Sequence, residues 1–145
     1  MKKKGFTLVE LLIVIAIIGI IAAIAIPNLL TALQKGKQKA TIGDMKSIGT
    51  AIESYLTDLY IAPQSGPLTT HLSPFYIKIF PQRDGWGRNW LYQAEDDLYS
   101  LGSGGKDGTF NGWSQIGEYV VTSFEMFNFD IIFSNGQFTY NPKAK

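Results

Sequence analysis

The chain opens with a long apolar block and then changes pattern several times. From Phe6 to Ile26, 21 residues carry a single charge, Glu10. A helix rises about 1.5 Å per residue, so this block reaches roughly 30 Å, the thickness of a bilayer's hydrocarbon core. It has no polar face, which argues against a helix lying flat on a membrane surface. Pro27 lacks an amide hydrogen and crowds the preceding turn, so it predicts a kink. Apolar positions resume at Leu29, Leu30 and Leu33, and from Met45 through Ile48, Ala51, Ile52, Tyr55, Leu56 and Leu59 the steps are mostly three and four. That spacing predicts an amphipathic helix. Gly36, Gly43 and Gly49 each weaken an isolated helix by about 1 kcal/mol relative to alanine, which points to bending or to close helix packing.

Beyond residue 60 the pattern becomes that of loops and strands. Ala62 to Pro74 is rich in proline, serine, glycine and threonine and reads as loop, with the lone His71 in it. The run Asp84-Gly85-Trp86-Gly87-Arg88-Asn89-Trp90-Leu91-Tyr92 predicts a turn feeding an aromatic strand, and Asp97 to Gly102 a short strand and its end. Near the C-terminus Phe127, Phe129, Ile131 and Phe133 alternate with other residues, Asn135-Gly136 is a two-residue hairpin signal, and Gln137 to Tyr140 can return. Residues 61–145 are too few to bury a large core alone, so the amphipathic helix must supply part of it.

Composition narrows the chemistry. The chain has 145 residues, enough for one domain, with no cysteine, one histidine and a net charge of +1. Disulfides, thiolate metal sites and histidine clusters are therefore excluded. Nothing suggests a nucleic-acid surface. Lys35, Lys37 and Lys39 read as a solvated face or a contact to anionic headgroups. Lys2, Lys3 and Lys4 favour a cytoplasmic N-terminus with the rest exported.

Glu10 decides how the apolar block is read. A secretory signal peptide has an apolar region of about 7–15 residues ending in a small-x-small site; this block is longer. A plain signal anchor has no use for a carboxylate, which costs on the order of 2.5–3.5 kcal/mol at the centre of a membrane helix. The segment Gly5-Phe6-Thr7-Leu8-Val9-Glu10-Leu11-Leu12-Ile13-Val14, continuing to Pro27 and Asn28, resembles the processing signature of type IV prepilins and type II secretion pseudopilins. The resemblance implies that a prepilin peptidase cuts between Gly5 and Phe6 and methylates the Phe6 amine. It also implies an assembly role for Glu10, whose carboxylate would pair with the amine of a neighbouring subunit. Losing the three leader lysines leaves ten basic side chains against twelve acidic ones. The new α-amine, with a reference pKa near ~7.7–8.0, stays mostly charged. Pairing offsets the cost of a buried carboxylate.

The fold implied is α+β and pilin-like: a long N-terminal helix packed on a small antiparallel β-sheet head. The expected organisation is a leader at 1–5, a transmembrane and assembly helix at 6–26, a stem helix at 27–60 and a β-rich head at 61–145. In the head, the Asp84 turn and the strand ending Tyr99-Ser100-Leu101-Gly102 resemble a pair of segments found in major pseudopilins of type II secretion. Gly85 departs from the proline favoured there, which is expected to loosen the turn. In those pseudopilins the loop after the strand binds calcium; here Leu101, Ser103, Asp107 and Asn111 are the candidate oxygen ligands, while Gly104 stands where aspartate is usual. Calcium needs six to eight oxygens, and the sequence leaves both a calcium site and a plain glycine-rich turn open. A phosphate loop is excluded by spacing, since Asp107 follows Lys106 where Ser or Thr is required.

The resemblance implies a structural, non-catalytic subunit of a type II secretion pseudopilus that helps export folded proteins. Its alternative is a type IV pilin of a surface filament serving adhesion, motility or DNA uptake. The partners implied are further copies in a helical homopolymer, minor pseudopilins or pilins, the prepilin peptidase, and an inner-membrane platform with its ATPase. The implied location is the inner membrane, single-pass with a periplasmic head, and then the filament. An anchored enzyme would need a nucleophile and base that the composition does not offer. Asp96-Asp97 reads as surface charge.

Overall fold

The computed structural model describes residues 5–64 and 66–143; the leader lysines lie outside them. Helix α1 runs from Leu8 to Leu59 and carries Pro27 inside it without ending there. Tyr60, at φ 58, takes the left-handed position that closes the helix, its amide donating to the Leu56 carbonyl at 2.8 Å. The chain divides into two compact units, residues 1–33 and 34–145.

In the first unit every residue from Leu8 to Ile26 except Ala22 is exposed. An exposed apolar stretch of this length is unstable in water. It is long and apolar enough to cross a bilayer.

In the second unit, α2 spans Leu68–Leu72 and five strands follow: β1 Leu91–Glu95, β2 Leu98–Ser103, β3 Gly117–Tyr119, β4 Ile131–Ser134 and β5 Gln137–Pro142. The sheet order is β1-β2-β4-β5-β3. It is antiparallel except that β3 pairs in parallel with β5, so the sheet is mixed rather than wholly antiparallel as expected. The amphipathic stripe of α1 closes the core: Met45, Ile48, Ala51 and Ile52 are buried with Leu72, Tyr99, Leu101, Ile131 and Phe133. Each large aliphatic side chain buried this way contributes about 1.5–3 kcal/mol, so the helix supplies what the small sheet lacks.

Gly49 is what permits this contact. A Cβ there would lie 2.2 Å from Phe133 Cε1. Gly49 therefore serves packing within the head, whereas a Cβ on Gly36 or Gly43 would meet nothing within 4 Å.

Several local expectations are corrected. Residues 62–74 are not all loop, because α2 holds His71, whose ring sits edge-on to Tyr55 at 6.0 Å. Phe127 and Phe129 are not on a strand: a 3-10 helix occupies Phe124–Asn128 and β4 begins only at Ile131. The alternation fails because β4 is an inner strand covered on both faces. Ile131, Ile132 and Phe133 are all buried, and Phe110 and Trp113 lie close over Gly102, which pairs with Ile132. Asp96 and Asp97 form the β1–β2 turn, with Asp96 at φ 53. Asn135-Gly136 makes the expected hairpin, both residues at positive φ.

Candidate functional site: the N-terminal motif and the head loop

Thr7 and Glu10 start the helix together. The Glu10 carboxylate Oε2 accepts hydrogen bonds from the Thr7 amide at 2.8 Å and the Thr7 hydroxyl at 2.7 Å, while the Glu10 amide donates to Thr7 Oγ1 at 3.2 Å. This is a reciprocal capping box: two otherwise orphaned helix donors are satisfied by the side chains at the N-cap and three residues on. The signal, Thr-x-x-Glu before an apolar run, is plain in the sequence, and it gives Glu10 a local role beside the expected pairing between subunits. Gly5 and Phe6 precede the helix in chain without regular structure, with Phe6 about three-quarters exposed. The bond between them is thus outside any regular element, where a protease can reach an unpaired backbone. At Pro27 the helix continues, and Thr31 Oγ1 donates to the Pro27 carbonyl at 2.9 Å.

The Asp84 turn is tied down more firmly than its glycines suggested. Asp84 is buried; its Oδ1 accepts from the amides of Trp86 and Arg88, both at 2.9 Å, and its Oδ2 from Ser103 Oγ at 2.6 Å. Gly85, far from loosening the turn, fits it to the helix. Its amide donates to Thr41 Oγ1 at 2.9 Å, and a Cβ there would fall 2.1 Å from the Lys37 carbonyl oxygen. Trp86 Nε1 donates to Gln34 Oε1 at 2.7 Å. Tyr99 joins strand to helix in the same way, its hydroxyl donating to Glu53 Oε1 at 2.7 Å and accepting from the Gly136 amide at 3.2 Å.

Each candidate calcium ligand takes part in a strand pairing or a hydrogen bond elsewhere, Asn111 through its backbone amide. Leu101 lies within the sheet, paired with Tyr92 on one side and Phe133 on the other. Ser103 Oγ donates to Asp84 and also accepts from the Gly105 amide at 3.3 Å. Asp107 Oδ1 accepts from Thr109. The Asn111 amide donates to Asp130 Oδ2 at 2.8 Å, and Gln115 Nε2 donates to the same oxygen. Among the described residues no three His, Cys, Asp or Glu side chains lie close enough to share an ion. Asp130, which no sequence pattern singles out, is fully buried, and its Oδ1 has no partner. Burial holds its carboxyl above the ordinary carboxylate value; the hydrogen bonds from Asn111 and Gln115 pull it back, and the charge of Asp107 adds a smaller push upward. Asn128 Oδ1 is likewise buried without a partner, and two such oxygens fall short of the six to eight that calcium takes.

Residues 1–26 match the family described as the prokaryotic N-terminal methylation motif. Over most of its length the chain is similar to the type II secretion system core protein G of Pseudomonas aeruginosa, 31% identical over 137 residues that cover 81% of this chain and 96% of that protein. The core protein G of Vibrio cholerae is 28% identical, covering 86% of this chain and 97% of its own. The type IV major pilin protein PilA of Myxococcus xanthus is 46% identical over 57 residues, but these cover 39% of this chain and only 26% of the pilin.

Proposed function

The chain belongs to the family of the type II secretion system core protein G, and on that premise we propose that it is a structural subunit of a secretion pseudopilus. It is built as a membrane-anchored precursor and stacked by its apolar helix into a filament that helps export folded proteins. The observation that carries this reading is the extent of the likeness: it runs through helix and head alike to 96% of the Pseudomonas relative, while the likeness to the pilin stops at 26% of that protein. We read the subunit as having no catalytic role of its own.

The finer assignments rest on residues. Cleavage falls between Gly5 and Phe6, methylation on the Phe6 amine, and Pro27 marks a weak point where the helix can bend during assembly. The head faces the periplasm, and the peptidase, the platform protein, its ATPase and minor pseudopilins are the partners. In the membrane Glu10 caps its own helix. In the filament the amine of a neighbour competes for the same carboxylate, so that one axial offset between subunits is favoured over others. Glu10→Gln keeps the capping oxygen but removes the charge, and Glu10→Ala removes both. Both variants should insert and be cleaved, and neither should polymerise. Filaments of Glu10→Gln at normal yield would show that the charge is not what sets the register.

The test of the reading as a whole is deletion of the gene, with secreted proteins and surface filaments compared in one strain. Loss of specific secreted proteins with surface filaments intact is expected. Loss of surface filaments with normal secretion would make the subunit a type IV pilin.

A further inference from the structure

The loop that follows β2 is held from outside by an arginine. Arg88 Nη2 donates to the Lys106 carbonyl at 2.9 Å. The guanidinium lies against Gly108: a Cβ on that residue would fall 2.2 Å from Nη1, 2.4 Å from Cζ and 2.6 Å from Nε. The backbone of Arg88 is fixed in turn, because its amide is bonded to Asp84 Oδ1 and the Asp84 amide donates to the Arg88 carbonyl at 2.8 Å. Asp84 also holds Ser103, the last residue of β2, from which the loop leaves. The Asp84 turn therefore grips the first part of the loop at two points, through Ser103 at its base and through Arg88 at Lys106.

Two further backbone bonds tie the loop down. Gly108 donates to the Gly104 carbonyl at 3.1 Å, and Lys106 donates to the Phe127 carbonyl at 2.8 Å. The Lys106 ammonium stands 4.2 Å from the centre of the Phe124 ring, a cation–π contact. A divalent ion entering here would meet the positive charges of Arg88 and Lys106 and, at Gly104, Lys106 and Phe127, carbonyls that already accept a hydrogen bond. Nor could an aspartate be seated at position 104: a Cβ there would lie 2.9 Å from the Gly108 carbonyl carbon, which is backbone and cannot step aside. The glycine that departs from the pseudopilin pattern is thus the residue this loop conformation requires.

We propose that Arg88 does for this loop what a bound divalent cation would otherwise do: its guanidinium cross-links the loop backbone to the Asp84 turn, and the head folds and keeps its shape without calcium. Arginine suits the task because it is planar and always charged, so it can lie flat on a glycine while donating to a carbonyl. The inference goes beyond the role in secretion and is independent of it, since it concerns the head of a single subunit.

The test is amide hydrogen exchange on the full chain in detergent micelles, followed by mass spectrometry, in chelator and in millimolar calcium. Wild-type exchange over residues 104–112 is expected to be the same in both. In Arg88→Gln the Lys106 and Gly108 amides should exchange about tenfold faster, the size of one lost charge-assisted hydrogen bond. Amides of α1 from Met45 to Ile52 should not change. Slower loop exchange in calcium would overturn the proposal, and loss of that slowing in Asp130→Asn would then place the ion at the free Asp130 oxygen. An unaltered loop in Arg88→Gln would overturn it equally. The wild-type comparison needs no variant, so it decides the metal question even if Arg88→Gln folds poorly.

Discussion

Gly49→Ala is a sharp test of how the helix and sheet meet, because two effects of known sign oppose each other. Replacing a mid-helix glycine with alanine favours the helix by about 1 kcal/mol. At Gly36 and Gly43, where a Cβ would meet nothing within 4 Å, that gain should appear in full. At Gly49 the new methyl would lie 2.2 Å from Phe133 Cε1, 2.7 Å from Cζ and 2.9 Å from Cδ1. The ring has little room to retreat: Phe133 is almost fully buried, with the Phe138 ring edge-on at 5.0 Å and the Tyr99 ring at 6.5 Å. Overpacking a core costs typically about 1–3 kcal/mol; with the ring boxed in, the upper part of that range, about 2–3 kcal/mol, applies and outweighs the propensity gain. We expect Gly49→Ala to lose about 1–2 kcal/mol, a fall in melting temperature of about 4–8 °C for a protein of this size. The assay is thermal unfolding of the full chain in detergent, with Gly36→Ala and Gly43→Ala as internal references. A double variant, Gly49→Ala with Phe133→Leu, should recover part of the loss, because the smaller side chain makes room. If Gly49→Ala proved as stable as Gly43→Ala, the close contact between α1 and β4 would be wrong.

Two further outcomes follow from the same structure. Gly85→Pro, which installs the residue favoured by the resembling pseudopilins, should lower the melting temperature steeply: it removes the amide bonded to Thr41 and presses a ring onto the Lys37 carbonyl, a loss of about 3 kcal/mol or more; a melting curve superposable on wild type would refute the account of that turn. Asp130 bears on pH. Its carboxyl is raised in the folded state, chiefly by burial, so the fold binds its proton more tightly than the unfolded chain does. That contribution is present below the ordinary carboxylate value and is lost as pH rises through the raised one. Asp130→Asn should therefore gain stability relative to wild type as pH climbs from acid to neutral, measured as the difference between urea midpoints; a difference independent of pH would remove Asp130 as the cause.

The parts of this fold that were legible in the sequence are those governed by a single strong local preference. An apolar run with a single carboxylate, a period near 3.6 from Met45 to Leu59 and the Asn135-Gly136 turn each have one good solution. What was not legible depends on partners distant in the chain. Phe127 and Phe129 share the period of a strand, but Phe127 lies in a 3-10 helix and Phe129 follows it at its C-cap, with Phe127 buried and Phe129 exposed, so their spacing reports no strand face. Gly85 looked like a loosened turn because its role is set by Lys37 and Thr41, more than forty residues away. Asp130 gave no signal at all: a lone aspartate in an apolar stretch looks like a surface residue until the loop from Asn111 to Gln115 is seen to cover it. Thr7 could have been found, since Thr-x-x-Glu is a local pattern with a local cause.

The Thr7–Glu10 cap changes what a carboxylate in a membrane helix costs. If Glu10 stood unpaired in the apolar helix, the membrane-bound subunit would carry that burden until assembly relieved it, and polymerisation would be driven partly by the pairing. The capping box removes much of this asymmetry. In the single subunit the carboxylate already accepts two hydrogen bonds, and two helix donors that would otherwise lie bare near the membrane are satisfied. On the proposed function, a neighbour's amine would meet a carboxylate whose Oε2 already accepts twice from Thr7, so pairing in the filament would add less net stability than it would to a bare carboxylate and would mainly select the offset at which subunits stack. On that proposal the two jobs of the helix are separate: its exposed aliphatic surface would supply the adhesion and the single carboxylate the register, so that the subunit would wait in the membrane with its carboxylate already bonded and still favour one offset on assembly.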